Sequence, residues 1–156
     1  MDSYYVYASP IGQLNIVEKK GYITNIALRD SFDVSQLSFS KTEVIAKCII
    51  QLEEYFRGQR QSFEIPLNPE GTEFQWLVWQ ELLKVPYGQW SSYHLVAEAI
   101  GSPKGARAVG RSVGANPVLI LIPCHRILGS DGSLTGFSAG LKRKSFLLDL
   151  EGVIYR

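Results

Sequence analysis

The spacing of apolar residues changes its period along the chain. Three short β-rich runs come first, Tyr4 to Ala8, Leu14 to Glu18 and Tyr22 to Leu28, separated by Ser9-Pro10-Ile11-Gly12 and Lys19-Lys20-Gly21. Runs of this kind bounded by turn residues predict a small antiparallel meander. The period then lengthens: Val44, Ile45, Cys48, Leu52, Tyr55 and Phe56 share one helical face. Ser40-Lys41-Thr42-Glu43 has capping-box spacing ahead of it, and Gly58 stops it. Cys48 on that face reads as core, because an unpaired cysteine packs as a small hydrophobe.

Residues 61–71, with Pro66, Pro69 and Gly71, read as a connection. The expected organisation is an N-terminal α/β domain over 1–66, a connection over 67–71 and a mostly helical domain over 72–156. Thr72-Glu73-Phe74-Gln75 opens the second domain as another capping box, with a helix running to about Val85 before Pro86. Trp76 and Trp79 are expected to pack into its core. A final amphipathic helix is expected over about Leu141 to Leu150.

Composition narrows the class. With 46% hydrophobic and 20% charged residues over 156 positions, the chain matches an ordinary globular domain or two small ones. The longest apolar run, Val118 to Ile122, is too short to span a bilayer, and no secretory signal is evident at the N-terminus. Neither a membrane nor a disulfide scaffold is expected, the latter because there are only two cysteines. Charge is uneven: residues 1–72 hold seven Lys/Arg against nine Asp/Glu, whereas residues 73–156 hold nine against six. The mildly basic second half is a weak pointer to an anionic partner.

That pointer sharpens over residues 91–116. Ser91-Ser92 is positioned to cap a helix running through Ile100, Gly101 ends it, and Ser102-Pro103 reads as N-cap and N1 of a second helix ending near Asn116-Pro117. Two helices joined by a short Gly-containing turn have the helix-turn-helix layout. On the second, Ala106, Val109, Gly110 and Val113 form a face of small residues expected to approach the protein, while Lys104, Arg107 and Arg111 share another side. Three cations on one exposed stripe suit phosphate contacts; a solvated face is the plain alternative.

The apolar run then ends in Pro123-Cys124-His125-Arg126. Thiolate is the nucleophilic form of cysteine, and a nearby base or cation favours it. Adjacent side chains seldom point at each other, so activation of Cys124 by His125 calls for a bridging water. Zinc fits poorly, since Cys48, Cys124, His94 and His125 lack paired ligand spacing. Gly129-Ser130-Asp131-Gly132-Ser133 reads as a hairpin-type loop, and Glu151, an acid near a helix C-terminus, breaks a local rule and is thereby a functional candidate.

Taken in order, Val85-Pro86-Tyr87-Gly88, Ser92-Tyr93, Arg107-Ala108-Val109-Gly110, Asn116-Pro117, Ile122 to Arg126, Asp131-Gly132-Ser133-Leu134 and Leu150-Glu151-Gly152 resemble the O6-alkylguanine-DNA alkyltransferase family. The resemblance implies a small α/β domain, an antiparallel sheet plus a helix, followed by a mostly helical domain like a winged helix-turn-helix. It implies that Cys124 accepts the alkyl group, that His125 acts as base through water, oriented by Glu151, and that the two lower the thiol pKa. Asn116 would brace the turn before the active-site segment. Tyr93, the backbone N–H of Ser138 and the carbonyls of Cys124 and Ile127 would contact the guanine. The second helix, with Ala106, Lys104 and Arg111, would enter the minor groove of double-stranded DNA carrying O6-alkylguanine, and Arg107 would fill the space of the flipped nucleotide. No cofactor or metal is implied, and the expected protein is a monomer acting in the cytoplasm. Phe137 stands where many members carry tyrosine.

Two other classes are compatible with parts of the pattern. A helix-turn-helix regulator or damage sensor would bind DNA with Cys124 merely packed, and a cysteine hydrolase would turn over an acyl substrate. Neither accounts for the full ordered set of motifs.

Overall fold

The computed structural model describes residues 2–156. The chain divides into two compact units, one reaching Glu70 and including Pro117–Leu119, the other formed by Gly71–Asn116 and Ile120–Arg156.

In the first unit, β1 (Ser3–Ser9), β2 (Gly12–Lys19) and β3 (Tyr22–Leu28) form the expected meander. A fourth strand, β4 (Ser38–Phe39), joins it in the order β3-β2-β1-β4 and runs parallel to β1, so the sheet is mixed rather than purely antiparallel. Two residues are too few to leave a periodic signal. The outer edge of β3 is also covered. Ile23 donates to Pro66 O and accepts from Asn68 N, while Ile26 donates to Pro117 O and accepts from Leu119 N. Backbone pairing therefore draws residues 66–68 and 117–119 into this unit, where a bare connection over 67–71 and an undivided second domain over 72–156 were expected.

The helix α1 (Glu43–Phe56) packs on β1, β2 and β3 and buries Ile45, Cys48, Leu52 and Tyr55. Its N-cap is Thr42, not Ser40: Thr42 Oγ1 accepts from Ile45 N at 3.3 Å. The N3 position is thus an isoleucine, which cannot return a hydrogen bond, so this end has a single cap and no capping box.

The second unit opens with α2 (Glu73–Leu82), where Thr72 and Gln75 form the reciprocal capping box. Trp79 is buried and donates Nε1 to Ser112 O at 2.9 Å, whereas Trp76 is only partly covered. Gly71 lies so close that an added Cβ would fall 2.4 Å from the Trp79 ring. The helix ends at Leu82 rather than Val85, because Lys84 N and Val85 N turn back to Glu81 O and Leu82 O.

The strand β5 (Ser91–Ser92) leads into α3 (Tyr93–Ala99), capped by Ser92 Oγ, and α4 (Ala106–Gly114) follows. The second helix starts later than Ser102-Pro103 predicts. Residues 102–105 instead close a turn through Gly105 N to Ser102 O, 2.8 Å, and Gly105 is the N-cap. The helices α2, α3 and α4 pack together, and Val109, Ser112 and Val113 are buried. After a 3₁₀ turn at Cys124–Arg126, β6 (Ile127–Leu128) pairs with β5 in parallel. The chain closes with α5 (Leu141–Leu150), whose Leu148 packs with Leu128 and Val153 against Trp90, Leu134 and Tyr155. Among the described residues no helix is long and apolar enough to cross a membrane.

Candidate active site

The segment before the thiol is turned rather than extended. Ile120 adopts φ +72°, a left-handed conformation that a β-branched residue rarely takes and that costs about 1–3 kcal/mol. The buried Asn116 spans this turn, donating Nδ2 to Ile122 O at 2.7 Å. Pro123 then places Cys124, His125 and Arg126 in the 3₁₀ turn, all buried.

Behind the thiol lies a closed ionic network. His125 Nε2 and Glu151 Oε2 are 2.6 Å apart, and both side chains are fully buried. Arg126 grips the same carboxylate twice, Nε to Oε1 at 2.7 Å and Nη2 to Oε2 at 3.2 Å, and donates Nη1 to Val85 O at 2.7 Å. Burial alone would raise the Glu151 pKa, but the hydrogen bonds from His125 and Arg126 and the charge of Arg126 bring it down to about 2. Burial lowers the His125 pKa, so the imidazole is neutral, gives Nε2–H to Glu151 and leaves Nδ1 as a buried acceptor with no partner among the described residues.

The thiol itself departs from expectation. Burial pushes Cys124 up to about 11, against the opposing pull of a hydrogen bond with Asn116 and the charge of Lys144. A resting thiol depressed by His125 and Glu151 is therefore not present. In a dry site the neutral form is favoured, and the proton must leave during the reaction.

The same unit holds a cavity of about 480 Å³, and Tyr93, which is near Cys124, forms part of its wall. Tyr93, Thr135, Gly136 and Phe137 line one part of it and Ala106, Arg107, Gly110, Val113 and Gly114, all from α4, the other. The small-residue face of α4 is thus divided: Val109 is buried, but Ala106 and Gly110 border the cavity instead of serving only close packing. Phe137 presents no hydroxyl there. Tyr93 donates to Thr135 O at 3.1 Å, and burial together with the nearby Cys124 raises its pKa.

The remaining candidates are placed as follows. Ser138 is exposed in the turn that Gly140 N closes onto Phe137 O. Ile127 is buried, and its carbonyl accepts from Lys144 Nζ at 2.6 Å, leaving one lone pair for any other donor. Arg107 and Arg111 project exposed from α4, whereas Lys104 sits in the preceding turn and is not part of a helical stripe. None of these three cations has an ion-pair partner among the described residues. His94 pairs with Glu98 on an exposed face, and no cluster of described residues is arranged to hold a metal ion.

Two members of the site escape sequence reasoning. Arg126 stands in the quoted run but has no reason in the sequence alone to meet Glu151. Lys144 falls with Leu147, Leu148 and Glu151 on the buried face of α5, at helical spacing, and this register is the signal that marks it out from Lys142 and Arg143.

Comparison with known proteins fixes the lineage. The model of the 6-O-methylguanine DNA methyltransferase DNA binding domain matches residues 73–153. The chain belongs to the 6-O-methylguanine DNA methyltransferase family. The ribonuclease-like domain of the same family matches residues 3–69. Methylated-DNA–protein-cysteine methyltransferase of Methanosarcina acetivorans is 41% identical over 96% of this chain and 97% of its own length. The protein of that name from Haemophilus influenzae is 44% identical over 97% and 87%. Among solved structures, Mycobacterium tuberculosis OGT in complex with DNA superimposes with a TM-score of 0.91 at 38% identity, covering 96% of this chain and 92% of that one. Membership in the methyltransferase family accords with the mixed sheet of the first unit and the helical second unit.

Proposed function

We propose that this member of the family repairs double-stranded DNA by moving the alkyl group of O6-alkylguanine, and also of O4-alkylthymine, onto its own Cys124. The observation that carries this reading is the buried turn that holds Cys124 with His125 and Arg126, tied to Glu151 in a buried network, in the same unit as the cavity bordered by Tyr93 and α4. Relatives named for methylated DNA and protein cysteine support the substrate and the acceptor.

The thiol proton passes through a water to His125 Nδ1, and Glu151 offsets the imidazolium that forms. Sulfur then attacks the alkyl carbon. A C–S bond forms while the C–O6 bond breaks, its electron pair going to the guanine. Tyr93, released from Thr135, gives its hydroxyl proton to the ring so that it departs as a neutral base, and the tyrosinate is reprotonated as the imidazolium gives up the proton it took from the thiol. The Ser138 N–H and the carbonyls of Cys124 and Ile127 orient the guanine edge, and Asn116 holds the turn that fixes the sulfur. No metal or cofactor takes part in this scheme.

A base within a duplex must leave the stack to reach a buried nucleophile. The helix α4 enters the minor groove, with Ala106 against the backbone, Lys104 and Arg111 on phosphates, and Arg107 in the place of the flipped nucleotide. The protein acts as a monomer in the cytoplasm, with access to DNA. A thioether is a poor leaving group, so each molecule reacts once. With excess duplex containing O6-methylguanine, repaired guanine should plateau at one equivalent per protein. Continued turnover past the plateau would contradict single use.

A further inference from the structure

Val85-Pro86-Tyr87-Gly88 opens the ordered set of motifs, yet no step of the transfer scheme uses it. The segment follows α2 and meets the Arg126–Glu151 pair at three of its four residues. Val85 O accepts from Arg126 Nη1 at 2.7 Å. The Arg126 guanidinium carbon lies over the Tyr87 ring, 5.9 Å from its centroid, and the Tyr87 hydroxyl donates to Leu150 O at 3.5 Å. Gly88 adopts φ +82°, and a Cβ there would stand 3.6 Å from the Glu151 carbonyl oxygen.

Arg126 commits in-plane donors to its partners: Nε and Nη2 to Glu151, Nη1 to Val85 O. Its flat face offers no donor, and an aromatic face is a natural partner for it. That face is also where the network is open to water. The side chains of His125 and Glu151 are fully buried, whereas 8% of the Arg126 side chain is exposed. A hydroxyl contact at 3.5 Å is at the limit of hydrogen-bond geometry and contributes little, so the ring of Tyr87 matters more than its oxygen. Burial and the Glu151 charge raise the Tyr87 pKa against the pull of Arg126, which keeps the side chain neutral near pH 7.

We propose that Tyr87 is a positioning residue for alkyl transfer: its ring seals the Arg126 guanidinium against water and holds it in the plane that grips Glu151, which in turn fixes the His125 tautomer. The proposal rests on the reading of His125 as the base that serves Cys124. Without the ring, water reaches the guanidinium face, the local dielectric rises and the charge-assisted pair weakens. The carboxylate then turns more freely, and His125 Nε2–H loses the fixed acceptor that leaves Nδ1 bare for the thiol proton. No proton passes through Tyr87, and it makes no bond to the substrate.

The test compares Tyr87→Leu and Tyr87→Phe in the full-length protein, with thermal unfolding as the control for folding. Two quantities are read: the saturating single-turnover rate constant for methyl transfer from duplex DNA carrying O6-methylguanine, and the solvent exchange of the Arg126 Nε–H followed by NMR. Tyr87→Leu should lower the rate constant about tenfold and speed the exchange about tenfold, the size of a desolvated cation–π contact, with the Kd for duplex unchanged. Tyr87→Phe keeps the ring without the hydroxyl and should recover both quantities to within about threefold of the wild type. A side chain that merely fills space would shift the unfolding temperature and move neither quantity in the folded protein. Tyr87→Met takes the place of the leucine variant if that one does not fold. A folded leucine or methionine variant with the wild-type rate constant or the wild-type exchange overturns the proposal, as does a phenylalanine variant as impaired as the leucine one. Exchange at Arg126 needs neither DNA nor an alkyl group. Absence of methyl on wild-type Cys124 after exposure to damaged DNA therefore fails the reading of the site and leaves the exchange difference standing, whereas unchanged exchange with methyl on wild-type Cys124 fails the proposal alone.

Discussion

Glu151→Gln is expected to slow alkyl transfer by about a hundredfold, because general-base assistance contributes about 10²–10⁴-fold and the amide neither fixes the His125 tautomer nor offsets the imidazolium. It is also expected to cost about 3–5 kcal/mol of stability, since removing the carboxylate leaves the buried Arg126 guanidinium without its anion. Affinity for undamaged duplex should stay near that of the wild type. The stability loss has a defined pH dependence. The folded pKa of about 2 lies below the ordinary 4.5, so the contribution of Glu151 is complete above about pH 4.5 and is lost as the pH falls toward 2. Urea unfolding of the two proteins should therefore differ widely at pH 7 and converge at the acid end of that window. Equal transfer rates and parallel stability curves would show that the carboxylate is only a helix-end charge.

Arg107→Ala is expected to separate extrusion of the base from chemistry. Unstacking a base in a duplex costs a few kcal/mol, so loss of the side chain that fills its place should slow repair of duplex O6-methylguanine by about 10–100-fold. Reaction with free O6-benzylguanine, which needs no flipping, should change by less than about threefold. Arg107 also borders the cavity, and this gives the comparison its edge: equal slowing of both reactions would make it a wall of the pocket and not a finger. Lys104→Ala and Arg111→Ala should instead weaken binding about uniformly across sequences and lower its salt dependence.

Much of the fold was legible because long periodic elements carry their own signal. The strands β1 to β3 alternate between Gly and Pro turns, and α1 repeats at helical spacing. Short pairings left no such signal: β4 is two residues long, and the edge of β3 is covered by residues 66–68 and 117–119, which are distant in sequence. Caps were legible only when the hydrogen bond had no rival. Thr72 had none, whereas Ser40 and Thr42 both stood ahead of α1, and Ser102 was drawn into a turn that made Gly105 the cap. In the site, Cys124 and His125 are adjacent in sequence and were visible as a pair. Arg126 and Lys144 were not, since a buried cation is recognised by the acceptors it reaches, and those come from Val85, Ile127 and the 135–136 loop. The thiol pKa could not be read either, because desolvation is a property of the packed site and outweighs the neighbours that the sequence names.

The most direct measurement is the mass of the intact protein, with peptide mapping, after incubation with duplex DNA carrying a single O6-methylguanine. The expected result is one added methyl group per chain, located on Cys124, with Cys48 unmodified and no methyl on a Cys124→Ser variant that still binds the duplex. An unmodified protein that nonetheless restores guanine, or a methyl group found on any other residue, would contradict Cys124 as the acceptor.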